Sequence, residues 1–197
     1  MQLVRSSAVL ACLVLAAGCA ASGGRDAARP AATTLAAGGS AATPTTGAAL
    51  ASGAAPATWS SGPAAKVRTG AQAQLVAVRA AHHDGFDRVT FEFRGGRPGW
   101  HVRYQPEITG LGSGQRVAVQ GRAFLSVLFD PANAHTEAGA PTWRGPRVTF
   151  GLPSMRQVVL ADDFEAQLAF GLGLNGRVGF RVTELTGPPR VAIDVAA

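Results

Sequence analysis

The chain has 197 residues and a formal net charge of +6, from 18 Lys and Arg against 12 Asp and Glu. Its 25 Gly, its 12 Pro and its low charged fraction of 15% disfavour a coiled coil or a long helical bundle. Both cysteines, Cys12 and Cys19, lie near the N-terminus, so the rest of the chain has no thiol for a disulfide, a cysteine metal site or a nucleophile.

The N-terminal segment has the pattern of an export signal. Arg5 precedes an apolar run from Ala8 to Gly18, which is about 16 Å long as a helix and therefore too short to span a bilayer. We expect residues 1–18 to be a signal peptide. An ordinary secretory signal that happens to end at a cysteine is the alternative to a lipoprotein signal.

The end of this signal resembles the lipobox of bacterial lipoproteins in the sequence Leu15-Ala-Ala-Gly18-Cys19, although Ala16 stands where Leu is usual. The resemblance implies cleavage before Cys19 and lipidation of its thiol and new amino terminus. Two or more acyl chains anchor a protein stably. The partner implied for this end is therefore the outer face of the cell membrane, reached through lipid at Cys19.

Residues 19–65 are expected to form a lipidated, disordered tether. Ala, Gly, Thr, Ser and Pro make up all but six of residues 20–64, and such a composition buries too little apolar surface to offset the entropy of ordering. As a flexible coil this segment would span roughly 35–40 Å between its ends.

Residues 66–197 show the alternation of apolar and polar residues that is typical of strands with one buried face. In Arg88–Arg94 the apolar positions are Val89, Phe91 and Phe93. Phe164–Leu172 is predicted as one strand with every second residue from Phe164 inward, and Asn175-Gly176 as a type I′ hairpin turn. A helical turn is expected only at Ala132–Thr136. Further alternating sets are Val117/Val119, Leu125/Val127/Phe129, Phe180/Val182 and Val191/Ile193/Val195. We therefore predict an all-β antiparallel fold of about ten short strands.

The two ends of this region resemble each other. Arg88-Val-x-Phe-Glu-Phe matches Arg190-Val-x-Ile-Asp-Val at an offset of 102 residues, and each segment closes a predicted hairpin. We expect the two hairpins to be equivalent parts of two pseudo-symmetric sheets. Chance similarity of two amphipathic strands is the alternative.

Three segments together resemble the AMIN-like domain of bacterial lipoproteins: His83–Phe93, Phe164–Leu174 and Pro189–Val195. The likeness covers about residues 72–196. It implies a β-sandwich of two related sheets and, by analogy with AMIN domains beside cell-wall amidases, binding to peptidoglycan. Unlike the arrangement in those amidases, no catalytic domain is expected beside this one.

The charge pattern and motifs offer little enzyme chemistry. Residues 66–197 carry 15 basic and 11 acidic residues without a basic run, so a nucleic-acid partner is not expected. The glycines Gly171, Gly173 and Gly176 match a dinucleotide fingerprint, but they lie on a predicted strand without a following helix. His82 and His83, as strand neighbours, should face opposite sides and not share a metal ion. We expect no enzyme activity, no cofactor and no metal site.

Aromatic residues beside arginine are the preferred binding candidates, because such groups suit sugar rings and peptide carboxylates. On one predicted strand, Trp100 and Tyr104 share a face opposite Arg103, and these two aromatics are equally well explained as core. Trp143 and Arg144 lie in a Pro-rich loop.

Three function classes follow. The leading expectation is a monomeric, lipid-anchored, non-catalytic module that binds cell-wall peptidoglycan or its peptides. The alternative is a module that docks onto another envelope protein. A hydrolase that uses His135 with a nearby carboxylate is the third, and a structural role for His135 is preferred to it.

Overall fold

The computed structural model describes residues 58–197, which form thirteen β-strands and no helix. The expected signal peptide, Cys19 and most of the expected tether lie outside the described residues. Among residues 58–197, no helix is long and apolar enough to cross a membrane. The strands are β1 (Ala64–Lys66), β2 (Ala73–His83), β3 (Phe86–Arg94), β4 (Gly99–Gln105), β5 (Ile108–Thr109), β6 (Arg116–Val117), β7 (Ala123–Asp130), β8 (Ala132–Asn133), β9 (Arg147–Thr149), β10 (Met155–Phe164), β11 (Gln167–Leu174), β12 (Phe180–Leu185) and β13 (Arg190–Ala196).

The strands form a sandwich, as the sequence predicted. One sheet has the order β1-β4-β7-β11-β10-β9, the other the order β12-β13-β3-β2-β8, and β5 pairs with β6 apart from both. A single core lies between the two larger sheets. At its centre Phe91 of β3 lies 4.9 Å, between ring centroids, from both Phe129 of β7 and Phe170 of β11.

The predicted inward faces are mostly correct. Burial alternates along β3 and β7, so that Val89, Phe91 and Phe93 on the first strand, and Leu125, Val127 and Phe129 on the second, point into the core. Val191, Ile193 and Val195 of β13 do the same. The outward positions of β3 and β7 are partly or fully exposed, whereas Ala192 and Asp194 on the outward face of β13 are buried.

The predicted strand Phe164–Leu172 is wrong at its beginning. Phe164 ends β10 and is 54% exposed, and the chain reverses at Glu165 and Ala166, whose φ angles are 50° and 61°. β11 therefore starts at Gln167, and only the inward positions from Leu168 onward are buried. This reversal contains no Gly or Asn, the residues that ordinarily adopt positive φ, so the turn carried no local signal.

The type I′ turn at Asn175-Gly176 is also wrong. Neither residue has a positive φ, because the chain here does not form a hairpin. It leaves the six-stranded sheet at Leu174 and enters the five-stranded sheet at Phe180.

The expected helical turn at Ala132–Thr136 is a third error. Ala132 and Asn133 form β8, which runs parallel to the start of β2, and His135 forms a bridge with Pro141. Ala132 is fully buried against the core, which holds this segment extended.

The repeated hairpins are real, but they lie in one sheet and not in two. β3 and β13 are antiparallel neighbours at the centre of the five-stranded sheet, with Arg88 opposite Asp194 and Glu92 opposite Arg190. Since Arg88 corresponds to Arg190 and Glu92 to Asp194 at the 102-residue offset, these two pairs are equivalent by a local two-fold axis. β2 and β12 flank the central pair symmetrically.

The ordered fold begins before the expected boundary at Lys66. Ser60 exchanges two backbone hydrogen bonds with Phe180 of β12, at 3.0 and 2.8 Å, and β1 pairs with β4 at the edge of the other sheet. We call residues 59–68 the strap, because they contact the edges of both sheets. The expectation that residues 59–65 belong to the disordered tether is therefore wrong.

One carboxylate holds the strap at one end of the sandwich. Glu184 Oε2 accepts from Lys66 Nζ at 3.0 Å, Arg68 Nη2 at 2.7 Å and Arg97 Nη1 at 3.0 Å, while its Oε1 accepts from Trp100 Nε1 at 3.0 Å. Burial favours the neutral form of the carboxyl, but the hydrogen bonds from Lys66, Trp100 and Arg68 outweigh it and lower the pKa of Glu184 from 4.5 to about 2.

The Glu184 cluster makes stability sensitive to acid. A carboxyl whose pKa is lower in the folded than in the unfolded state contributes stability above its unfolded pKa, and this contribution is lost as the pH falls from 4.5 towards about 2. Urea unfolding at a series of pH values should show a smaller loss across this window for Glu184→Gln than for the wild type. The exposed Glu137→Gln is the control, and identical pH profiles for Glu184→Gln and the wild type would contradict the assignment.

Candidate functional site

Aromatic rings and arginines meet on the outer face of the five-stranded sheet, where β3 begins and β13 ends. His83 stacks on Phe86 with ring centroids 4.8 Å apart and an interplanar angle of 14°. The guanidinium carbon of Arg181 lies 4.4 Å from the ring centre of Trp59 and 4.9 Å from that of Phe86. Arg88 lies over the same Phe86 ring at 5.2 Å. We call this group the aromatic–arginine platform; it consists of Trp59, His83, Phe86, Arg88, Arg181 and Asp194.

Asp194 orients both arginines of the platform. Its carboxylate is fully buried and accepts from Arg88 Nε and Nη2 at 2.6 and 2.9 Å, and from Arg181 Nε at 2.8 Å. The hydrogen bond to Asp194 raises the pKa of Arg88, against the opposing effect of burial. Arg88 Nη1 and both terminal nitrogens of Arg181 have no hydrogen-bond partner within residues 58–197, and they are not buried. The platform therefore presents fixed, available donors.

Trp59 is held on the platform by the strap. The bonds between Ser60 and Phe180 place the strap along β12, and Gly179 leaves the space that the indole occupies. A Cβ at Gly179 would lie 3.2 Å from Trp59 Cβ, which is tighter than an ordinary contact. Trp59 remains 39% exposed, so part of its surface is open to a ligand.

The platform has the chemistry of a carbohydrate-binding surface. Aromatic faces stack against the C–H groups of sugar rings, and guanidinium N–H groups donate to carboxylate and carbonyl oxygens. Because Asp194 already fixes the arginines, little side-chain entropy remains to be lost on binding.

The two-fold-related half of the sheet lacks the aromatic residues. Arg79 pairs with Glu92 at 2.7 Å, but diagonally, because Ala77 lies opposite Glu92, whereas Arg181 lies directly opposite Asp194. Leu185 and Pro188, however, occupy the positions that correspond to His83 and Phe86 at the 102-residue offset. Both halves therefore carry an arginine–carboxylate pair in different registers, whereas the aromatic surface belongs to one half.

Three aromatic candidates from the sequence pack into the molecule instead of forming a surface. Trp100 is buried and donates to Glu184, and the half-buried Tyr104 donates from its hydroxyl to Val178 O at 2.7 Å. Burial raises the pKa of Tyr104. Trp143 is half-buried against Phe170, with ring centroids 5.6 Å apart.

The charged candidates lie apart from one another. Arg103 is on the opposite face of β4 from Trp100 and Tyr104, as predicted, and lies on the outer side of the six-stranded sheet. Arg144 is exposed in the loop before β9. The structure therefore does not bring these residues together with the platform.

His135 contacts a carboxylate, as the third hypothesis requires. Its Nδ1 lies 2.7 Å from Asp163 Oδ2, which also accepts from Ala134 N at 3.0 Å. The depression beside it is shallow and polar. Among its described lining residues the hydroxyl residue is Thr136, whose Oγ1 already accepts a hydrogen bond from Ala140 N. The pair fits a structural role, since it ties the end of β10 to the segment after β8.

His82 and His83 face opposite sides, as predicted. His82 Nδ1 lies 2.7 Å from the buried Asp87, whereas His83 stacks on Phe86 outside. Within residues 58–197, no three His, Cys, Asp or Glu side chains are close enough to hold a metal ion.

Sequence reasoning missed the platform. Trp59 lies in a segment whose composition is that of a tether, and Phe86 directly follows a turn, so neither residue was recognised as a candidate. The offset repeat was the available signal, because it aligns Arg79 with Arg181 and Glu92 with Asp194 and so marks the paired charges.

A model of the AMIN-like domain family matches residues 73–197. No curated protein and no solved structure matches the chain. The strap, including Trp59, precedes the matched region. Because the match covers more than half of the sequence and nearly all of the sandwich, the chain belongs to the AMIN-like domain family.

Proposed function

We propose that this protein is a lipid-anchored, non-catalytic module of the cell envelope that binds peptidoglycan through the aromatic–arginine platform. AMIN-like domains are typically extracytoplasmic and suggest a peptidoglycan-binding or envelope module. The observation that carries the proposal is the exposed Trp59 beside Arg181, whose guanidinium is oriented by the buried Asp194.

Peptidoglycan matches this surface in its chemistry. Its glycan offers flat sugar faces to Trp59 and His83, while its lactyl, acetamido and peptide groups offer oxygen acceptors to the free N–H groups of Arg181 and Arg88. All platform residues come from one chain, so the module acts as a monomer in this proposal. Lipid at Cys19 would hold it at the outer face of the cell membrane, and no nucleic acid is involved.

The proposed site is tested by co-sedimentation with purified peptidoglycan. The wild-type full chain and a double variant that combines Trp59→Ala with Arg181→Ala are synthesised cell-free, where no lipid is attached. We expect the double variant to bind at least about tenfold more weakly, since it loses an aromatic stacking face and a charged donor.

The control is Arg79→Ala, an arginine on the same sheet that pairs with Glu92 but has no aromatic platform beside it. Its binding should equal that of the wild type. If the wild type, the double variant and Arg79→Ala bind equally, the platform is not the binding site. If Arg79→Ala weakens binding as much as the double variant does, the binding is general charge attraction.

A second candidate function rests on the edge of β2. Within the described residues, β8 pairs with β2 only at Ala73 and Gln74, so the edge from Val76 to His83 has no strand partner. A free strand edge accepts an added strand from another protein. Docking of another envelope protein here is the alternative proposal. It would be favoured if the chain failed to bind purified peptidoglycan but bound an envelope protein, and if blocking this edge alone abolished that binding.

A further inference from the structure

A second concave surface lies on the outer face of the six-stranded sheet, away from the platform. It is a cleft of about 370 Å³, bounded by Pro63–Ala65 of the strap on one side and by Ile108–Leu111 on the other. Leu128, Ala161 and Ala169 lie among its apolar lining residues. Its volume falls within the range of sites for small molecules.

Small residues create the depth of this cleft. Ser126, Ala161 and Ala169 occupy outward positions on three neighbouring strands, where larger side chains would fill the space. The side chain of Ile108 covers the adjacent position, Gly171, so closely that a Cβ there would lie 2.8 Å from Ile108 Cγ1. Leu111 stands at the rim and is 46% exposed.

The polar groups of the cleft lie along one side. The register of β4 and β7 places Arg103 opposite Ser126 and His101 opposite Leu128, so a guanidinium, an imidazole and a hydroxyl line the same wall. Among residues 58–197, the side chains of His101, Ser126 and Thr109 form no hydrogen bond.

Arg103 is a cation without a carboxylate partner in the described part of the chain. With the Gln105 amide oriented so that its oxygen faces the guanidinium, Arg103 Nε and Nη2 donate to it at 2.8 and 3.0 Å. A neutral amide leaves the charge uncompensated beside an apolar cavity. A ligand that complements both features carries one negative charge on an apolar body.

We propose that this cleft binds a small apolar monocarboxylate. Its carboxylate accepts from Arg103 and the hydroxyl of Ser126, and its hydrocarbon body lies over Leu128, Ala161 and Ala169 beneath Leu111. The site shares no residue with the platform, and the two lie on the outer faces of different sheets, although the strap contributes to both.

Isothermal titration calorimetry with octanoate tests the proposal on the full chain, synthesised cell-free without lipid. We expect saturable binding, and binding of 1-octanol and octylammonium at least about tenfold more weakly, because neither forms the charge-assisted hydrogen bonds to Arg103. Arg103→Gln should weaken octanoate binding by a similar factor, whereas Arg144→Gln, the same change at an exposed arginine outside the cleft, should leave it unchanged.

A second variant examines the cavity itself. Ser126→Leu fills the cavity from a half-buried, outward position on its polar wall and should abolish binding, while the circular dichroism spectrum and melting temperature stay those of the wild type. The absence of saturable octanoate binding, equal binding of octanol, or unaltered binding by Arg103→Gln would each overturn the proposal. Retention of binding to peptidoglycan in these variants would show that the platform proposal stands separately.

Discussion

Replacing Asp87 with alanine is expected to lower the free energy of unfolding by about 2–6 kcal/mol. Asp87 lies on β3, is fully buried, and accepts from Ser154 N at 2.7 Å and Met155 N at 2.9 Å through a single carboxylate oxygen. Its other oxygen lies 2.7 Å from His82 Nδ1. These contacts join the five-stranded sheet to the start of β10 in the six-stranded sheet.

The size of this effect follows from what the substitution leaves behind. Alanine removes the acceptor but not the donors, so two backbone N–H groups stay buried without a partner, each at a cost of about 1–3 kcal/mol. Urea denaturation of the full chain measures the loss. Asp84→Ala, in the exposed turn three residues earlier, is the control and should change stability by less than about 0.5 kcal/mol. Equal effects at the two positions would show that Asp87 does not connect the sheets.

Gly173→Ala is expected to destabilise the fold by about 3 kcal/mol or more. A Cβ at Gly173 would overlap the backbone carbonyl oxygen of Gln120, which crosses the outer face of β11. The crossing segment cannot move away freely, because Gln120 N donates to Gln157 Oε1 at 2.9 Å and Arg122 N donates to Leu174 O at 2.7 Å. Displacement would break these bonds.

The same glycine motif supplies the control for this prediction. At Gly176 a Cβ would meet nothing within 4 Å, and φ is not positive. Gly176→Ala should therefore be nearly neutral, while Gly171→Ala, which meets the side chains of Ile108 and Val119, should fall between the two. Thermal unfolding of the three variants gives the ranking, and a different order would contradict this account of the motif. Two of the three glycines of the apparent dinucleotide fingerprint, Gly171 and Gly173, are thus explained by the close approach of the covering segment.

The sandwich was predictable because its strands are amphipathic. Period-two alternation identifies the inward residues of β3, β7 and β13 without any knowledge of pairing. The hairpins β2–β3 and β12–β13 were also predictable from alternation interrupted by turn residues. Their arrangement in a single sheet was not, because an internal repeat states which segments are equivalent and not how they pair.

Long-range contacts account for what the sequence left hidden. Ser60 pairs with Phe180, a partner 120 positions along the chain, and nothing in the composition around Ser60 distinguishes it from the preceding Ala-rich segment. The need for long-range contacts also limited the prediction of the candidate binding residues. Alternation correctly placed Trp100 and Tyr104 on one face of β4, but only the packing of the second sheet shows that this face is interior.

Salt-dependent co-sedimentation of the unlipidated full chain decides whether the folded domain binds peptidoglycan through specific contacts. Contacts made by stacking and by oriented, partly buried donors are screened less than attraction between exposed charges. We expect the wild-type chain to pellet with purified peptidoglycan at low salt and still to do so at moderate salt. Pelleting that disappears as salt is raised, or no pelleting at either condition, would contradict it.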